Sequence, residues 1–175
     1  ETDEVIPDEL YGGLKEAAEH AWCALGGGTA LRLANVYGTG SGVDHGLAGA
    51  VERFARAAAS GGDLTIFGEG AQRIDYVHVD DVCRAFEAVL DAESAPSHVN
   101  IGGGSPIAIH ALASLAIAAG TALGKTPRLV KNPPPEGKVW PDRSLDVALA
   151  RTSLGWSPQV SYDDGVTALV RMMHG

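Results

Sequence analysis

Residues 29–38 read Thr-Ala-Leu-Arg-Leu-Ala-Asn-Val-Tyr-Gly, and this segment indicates the class of fold most directly. Leu31 to Val36 form a short apolar run of the kind found in buried parallel strands. The glycine-rich loop at 38–42 follows the run. Open α/β sheets place their ligands at the carboxyl ends of their strands. We therefore expect a buried strand that ends at a binding site, with Arg32 paired to a structural partner.

Strand and helix patterns alternate on both sides of this run, which predicts an α/β fold. A helix is predicted from Tyr11 to Leu25, stopped by Gly26-Gly27-Gly28. Asp80 is expected to cap the helix that ends at Leu90. The other predicted strands are 64–67, 74–79, 98–101 and 128–130, and the other predicted helices are 47–60, 110–123, 146–153 and 161–174. Ser161 is expected to open the last helix, and Trp156 is expected to be a packing anchor for the C-terminal helices.

Composition and charge limit the function. At 175 residues, with 45% hydrophobic and 20% charged residues, the chain can form one ordinary globular core. The net charge of −9 disfavours binding to nucleic acids or to anionic membranes. Cys23 and Cys83 are too few for a disulfide framework or a cysteine metal site, so we expect a reducing, cytoplasmic compartment and no metal.

Tyr11 and Lys15 stand four residues apart, on one face of the first predicted helix. A free phenol ionises near pH ~10, and a cation held beside a phenol lowers its pKa toward neutrality. Tyrosine with a lysine one turn later is therefore a way to build a proton-transfer group for carbonyl and alcohol chemistry. The same spacing also fits an exposed helix whose lysine lies along its surface.

Five further motifs follow in order: Asn-Val-Tyr-Gly at 35–38, Phe-Gly-Glu-Gly at 67–70, Asp-Tyr-Val-His-Val-Asp-Asp-Val at 75–82, Val-Asn-Ile-Gly-Gly-Gly at 99–104 and Leu-Gly-Trp-Ser-Pro at 154–158. With the Tyr/Lys pair, this ordered set resembles the extended short-chain dehydrogenase/reductase family, and most closely its nucleotide-sugar epimerases and dehydratases. The resemblance covers the whole chain but only the C-terminal half of such an enzyme.

The resemblance implies the C-terminal part of a Rossmann-type doubly wound sheet plus a small α/β substrate-binding lobe. Residues 1–60 would end the dinucleotide-binding domain, with the catalytic helix and the strand and helix after it. Residues 61–175 would be mainly the substrate lobe, with one strand and helix returning to the Rossmann sheet. No Gly-x-Gly-x-x-Gly pattern follows a strand and opens a helix. We therefore expect a fragment that lacks the pyrophosphate site of its NAD or NADP and is inactive without an N-terminal half.

The resemblance also assigns roles to residues. In the family, NAD(P) accepts a hydride from a sugar carbon while the tyrosine phenolate removes the hydroxyl proton. Tyr11 would be that base, and Lys15 would lower its pKa and bind the nicotinamide ribose. Asn35 would contact the substrate. The full enzyme would form a homodimer through the helix that bears Tyr11 and Lys15, and its substrate would be a nucleotide sugar.

The residues that would bind the substrate phosphates depart from the family pattern. The family has an arginine immediately before the aspartate of its Asp-Tyr-Val-His-like segment, where this chain has Ile74, with Arg73 one position earlier. A shift of one residue reverses the face of a strand, so Arg73 serves only with a bulge. Lys138 and Arg143 are the available substitutes for the family's second arginine.

Two alternatives stay open. The first is a reductase or dehydrogenase of the same family acting on a non-nucleotide alcohol or ketone, since the phosphate-binding arginines depart from the pattern. The second is a non-enzymatic α/β remnant that binds a nucleotide or a protein partner.

Overall fold

The computed structural model describes residues 10–26, 28–39, 49–138 and 140–175. The helices are α1 (Leu10–Ala24), α2 (Ala50–Ser60), α3 (Val79–Asp91), α4 (Ile109–Ala122), α5 (Ala148–Leu154) and α6 (Tyr162–His174). The strands are β1 (Ala30–Leu33), β2 (Asn35–Tyr37), β3 (Asp63–Phe67), β4 (Arg73–Ile74), β5 (Tyr76–His78), β6 (His98–Ile101), β7 (Ile107–Ala108) and β8 (Arg128–Asn132). The predicted α/β class is confirmed. The predicted loop at 40–42 and the residues ahead of Leu10 lie outside the described part of the chain.

The strands associate mainly in parallel pairs. β1 pairs with β6, β2 with β5 and β3 with β8 in parallel, whereas β4 and β7 are antiparallel. The predicted strand at 31–36 is present, but the expectation that it is buried is wrong, since Leu33 and Val36 are 40% and 38% exposed. The strand is also divided at Ala34, whose N–H donates to the Ile101 carbonyl at 2.8 Å. The next N–H, that of Asn35, donates to the Asp75 carbonyl at 3.3 Å. One extended segment therefore joins two strand pairs.

The larger apolar core, called here the α2–α4–α6 cluster, packs these three helices against β3. Phe54, Leu112 and Leu169 are fully or almost fully buried in it. A Cβ on Gly120 would lie 2.6 Å from the Ala58 carbonyl oxygen, so α4 and α2 approach more closely than a larger residue allows.

The smaller core, called here the β6–α3 cluster, contains Val99 and Ile101 of β6 with Val82 and Ala85 of α3. Trp156 is 4% exposed and belongs to this cluster. Its indole N–H donates to the Asp81 carbonyl at 3.0 Å. The prediction that Trp156 is a packing anchor is thus confirmed.

The start of α3 differs from the prediction. The N-cap is His78, whose Nδ1 accepts from the Asp80 N–H at 3.2 Å, so the expected Asp80 cap is wrong. The Asp81 side chain is 1% exposed and accepts from the N–H groups of Gln159 and Val160 at 2.8 and 3.1 Å. The Asp81 carboxylate therefore anchors a distant loop, while His78 caps the helix.

The predicted strand at 74–79 is interrupted. β4 ends at Ile74, β5 begins at Tyr76, and Val79 already belongs to α3. Asp75 lies at the break because its buried carboxylate bonds to other segments. At the C-terminus the expected cap is confirmed, since the Ser161 side chain accepts from the Asp164 N–H. None of the helices in the described ranges is long and apolar enough to cross a membrane.

Candidate functional site

Tyr11 and Lys15 line one cleft. The cleft has a volume of about 870 Å³ and lies between α1, β1, Asn100 of β6 and the segment 144–146. The Lys15 Nζ lies over the Tyr11 ring, 5.5 Å from its centroid. This is within the range of a cation–π contact. The two side chains that the sequence singled out are therefore neighbours on the same wall of the same cavity.

A second pair of charged side chains lines the same cleft. Arg32 of β1 binds Glu19 of α1 with both ends of its fork, through Nε at 2.9 Å and Nη2 at 2.6 Å. The hydrogen bond from Arg32 is the main reason that the pKa of Glu19 lies below its usual value. The prediction that Arg32 is paired structurally is confirmed. No signal in the sequence indicated this partner, since the spacing of Lys15 and Glu19, one helical turn apart, would instead pair those two charges.

Asn35 does not line this cleft. It is the exposed first residue of β2, and its backbone N–H binds the Asp75 carbonyl. Asp75 in turn donates its own N–H to the Arg143 carbonyl at 2.9 Å. Through this chain of backbone bonds, Asn35 is connected to the second group of predicted residues.

Arg73 and Arg143 lie on adjacent extended segments. The Arg143 N–H donates to the Arg73 carbonyl at 2.9 Å, and both side chains are exposed. The guanidinium of Arg73 donates from Nη2 to the Pro106 carbonyl at 2.6 Å. Lys138 is exposed directly after a turn, and its N–H donates to the Pro135 carbonyl at 3.0 Å. The fold thus brings the two arginines together.

Asp75 is a central residue that the sequence reasoning missed. Its side chain is almost fully buried and accepts from the N–H groups of Gly103 at 2.9 Å and Leu145 at 3.3 Å. The Tyr162 hydroxyl lies 3.5 Å away. These bonds connect the loop after β6, the segment of Arg143 and α6. An acidic residue in the middle of an apolar strand pattern was the available signal.

A partly exposed aromatic pair was also missed. The rings of Phe67 and Trp140 stack with centroids 5.7 Å apart and an interplanar angle of 22°. Phe67 ends β3, and Trp140 lies three residues before Arg143. The two residues are 73 positions apart in the chain, so no local pattern could have predicted the pair.

The other three tyrosines of the chain differ from Tyr11 in burial. Tyr11 is 70% exposed, whereas Tyr37 and Tyr76 are buried. Burial raises the pKa of Tyr76 and of Tyr162 to about 12, and that of Tyr37 still further. Only Tyr11 therefore combines an accessible phenol with a neighbouring ammonium.

Known proteins resemble this chain in sequence. The model of the NAD dependent epimerase/dehydratase family matches residues 1–102. The UDP-glucose 4-epimerase of Mycolicibacterium smegmatis is 36% identical over 137 residues, which are 78% of this chain and 42% of that protein.

Two solved structures resemble the fold. The UDP-glucose 4-epimerase of Thermotoga maritima, solved with UDP-glucose, is 32% identical, with a TM-score of 0.79 over 95% of this chain and 53% of its own. The UDP-glucuronic acid 4-epimerase of Bacillus cereus, solved with NAD, is 26% identical, with a TM-score of 0.71 over 97% of this chain and 55% of its own. The chain spans about half the length of these relatives. The resemblance inferred from the ordered motifs is confirmed, and the chain belongs to the NAD dependent epimerase/dehydratase family.

Proposed function

We propose that this chain is the C-terminal portion of an NAD(P)-dependent nucleotide-sugar epimerase or dehydratase. The observation that carries the proposal is the position of the Lys15 ammonium 5.5 Å from the centroid of the Tyr11 ring, on the wall of a cleft of about 870 Å³. The family match and the nucleotide-sugar relatives support the substrate class. The division into a dinucleotide domain up to residue 60 and a substrate lobe after it is part of the proposal.

The residues of this chain fit the nicotinamide end of the cofactor but not its pyrophosphate. Tyr11 and Lys15 line a cavity open enough for a nicotinamide ribose. The glycines at 102–104 lead into β7 rather than into a helix N-terminus, so this loop is not a pyrophosphate cradle. When bound, NAD(P) supplies reversible hydride transfer. We infer that an N-terminal half, outside this chain, holds the pyrophosphate and completes the active site.

In this mechanism Tyr11 moves one proton. Its phenolate takes the proton of a sugar hydroxyl as the carbon becomes a carbonyl, and its phenol returns a proton when the carbonyl is reduced. The Lys15 ammonium would stabilise the phenolate and hold the ribose when the cofactor is bound. Asn35, Arg73, Lys138 and Arg143 are the proposed substrate-binding residues, and the guanidinium groups would bind phosphate oxygens.

The proposal also includes a homodimer. The exposed apolar residues of α1 include Leu10, Leu14 and Trp22, which are 82%, 62% and 50% exposed. Exposed apolar area of this kind is typical of a contact surface. The expected partners are the helix of a second copy and the N-terminal half. Sedimentation analysis of the Leu14→Glu variant tests the dimer, which should dissociate at concentrations where the unsubstituted chain remains associated.

One observation favours a second candidate function. The Arg73 guanidinium is already bonded to the Pro106 carbonyl, and Ile74 occupies the position of the family's phosphate-binding arginine. A reductase or dehydrogenase acting on a non-nucleotide alcohol or ketone would not need that arginine.

A chimera separates these candidates. The N-terminal half of the Mycolicibacterium smegmatis UDP-glucose 4-epimerase is joined ahead of residue 1, and the purified chimera is incubated with NAD and UDP-glucose. Formation of the 4-epimer, lost on Arg143→Ala, is the result expected of a nucleotide-sugar enzyme. Oxidation of simple alcohols with no reaction of UDP-, dTDP- or GDP-sugars would instead favour the second function.

A further inference from the structure

We propose that Glu19 and Arg32 act as a positioning pair for Tyr11 and Lys15. The pair fixes α1 against β1 and holds the Glu19 carboxylate away from the Lys15 ammonium. The inference rests on the proposed function, because it concerns the residues that position the proton-transfer pair.

The first part of the argument is how α1 is attached. None of its residues is buried. The Glu19 side chain of α1 is 16% exposed and makes a two-point contact at 2.6 and 2.9 Å with the Arg32 side chain of β1, which is 25% exposed. Cys23 adds only a weak contact from its Sγ to the Ser97 carbonyl at 3.8 Å. Arg32 itself lies within β1, whose register against β6 fixes its backbone. The ion pair therefore holds α1 in a fixed position against β1.

The second part is electrostatic. Lys15 and Glu19 are one helical turn apart, a spacing at which opposite charges can pair. In this structure Arg32 engages both oxygens of Glu19, while the Lys15 ammonium lies over the Tyr11 ring. A carboxylate released from Arg32 would compete for that ammonium and place a negative charge near the phenol.

Other charged or titratable groups also lie near the cleft or near Glu19. Glu16 of α1 and Asp146, from the segment before α5, also line the cleft. His20 and His98 lie close enough to Glu19 to favour its charged form. These groups are the same in every variant described below, so they do not alter the comparison.

Two substitutions distinguish positioning from simple stabilisation. Arg32→Met keeps most of the apolar stem but releases the Glu19 carboxylate, whereas Glu19→Gln breaks the ion pair and removes the negative charge. Both weaken the tether, but only Arg32→Met leaves a free carboxylate one turn from Lys15. Arg32→Lys is the matched control, because it keeps the positive charge beside Glu19.

The surroundings of the Tyr11 ring can be followed by NMR on the chain labelled with ¹³C at tyrosine Cζ. The chain has four tyrosines, and the Tyr11 signal is the one lost in Tyr11→Phe. Because the Lys15 ammonium lies over the Tyr11 ring, we expect Lys15→Met to shift the Tyr11 signal at pH 7. Arg32→Met should shift the signal in the same direction, whereas Glu19→Gln and Arg32→Lys should not.

Hydrogen exchange of the α1 amides measures the tether in the same samples. Loss of charge-assisted hydrogen bonds in Arg32→Met and Glu19→Gln should speed exchange in α1 by about tenfold, with no change in α4. Unchanged α1 exchange in both variants, or equal shifts of the Tyr11 NMR signal in both, would overturn the positioning role. If Lys15→Met itself leaves the Tyr11 signal unchanged, the contact between ammonium and phenol on which the proposed function depends is overturned, and the inference falls with it.

Discussion

Replacing Asp75 with asparagine should destabilise the chain by about 2.5–4 kcal/mol. The buried carboxylate accepts from Gly103 at 2.9 Å and from Leu145 at 3.3 Å. Asparagine has nearly the same shape, but one oxygen becomes an NH₂ group that faces a backbone N–H. The loss of one hydrogen bond to a charged acceptor costs about 1.5–3 kcal/mol, and the unpaired buried N–H adds about 1 kcal/mol.

Urea unfolding followed by tryptophan fluorescence measures this change, because the chain has three tryptophans. Asp142→Asn is the matched control. That exposed carboxylate accepts one backbone N–H, from Arg73 at 2.7 Å, and an amide oxygen can replace it. We expect the control to change the free energy of unfolding by less than about 1 kcal/mol. An equally small change in Asp75→Asn would refute the view that its carboxylate joins the three segments.

Three further predictions follow from the same structure. Gly165→Ala should cost about 1–3 kcal/mol in urea unfolding, because its Cβ would lie 2.3 Å from the buried Tyr37 hydroxyl, whereas Gly13→Ala, with no atom within 4 Å, should be neutral or stabilising. The pKa of Glu19 is lowered mainly by its hydrogen bond with Arg32, so attachment of α1 is complete above pH 4.5, the ordinary pKa of the group, and is lost as the pH falls through the lower folded value. Hydrogen exchange of α1 between pH 6 and pH 3 checks this, and a profile in Arg32→Met that matches the unsubstituted chain would contradict it. Calorimetric titration of the chain with NADH should give no binding. A measurable Kd would contradict the inference that this chain lacks the pyrophosphate site.

Local patterns predicted most of the helices and strands. β6 matches its predicted bounds, and α6 begins where its serine cap was expected, because both depend on periodicity and on side chains within one turn. The predicted N-cap of α3 was wrong because tertiary contacts, not local sequence, decide which side chain caps the helix. Asp81 binds the N–H groups of Gln159 and Val160, almost 80 positions away, and His78 caps the helix instead. No local signal distinguishes a capping aspartate from one held by a distant loop.

The candidate site was predictable in part. The spacing of Tyr11 and Lys15 determines that they share a helix face, and the ordered motifs indicated the family. Two features depend on how separate segments pack: the bond from Arg73 to Pro106, and the position of Asn35 outside the cleft. The order of the motifs along the chain carries no information about this packing. The break at Asp75 has the same origin, because its carboxylate bonds to Gly103 and Leu145, which lie 28 and 70 positions further along the chain.

The central claim is that Tyr11 transfers the proton of the reaction. Its most direct test is the turnover of the chimera carrying Tyr11→Phe, with NAD and UDP-glucose. Removing the phenol hydroxyl removes the proton-transfer group, so kcat should fall by about 10²–10⁴-fold while the affinity for NAD stays nearly unchanged. Tyr162→Phe is the comparison variant, because that hydroxyl is bonded within the fold and should affect stability more than kcat. A kcat for Tyr11→Phe equal to that of the unsubstituted chimera would contradict the claim.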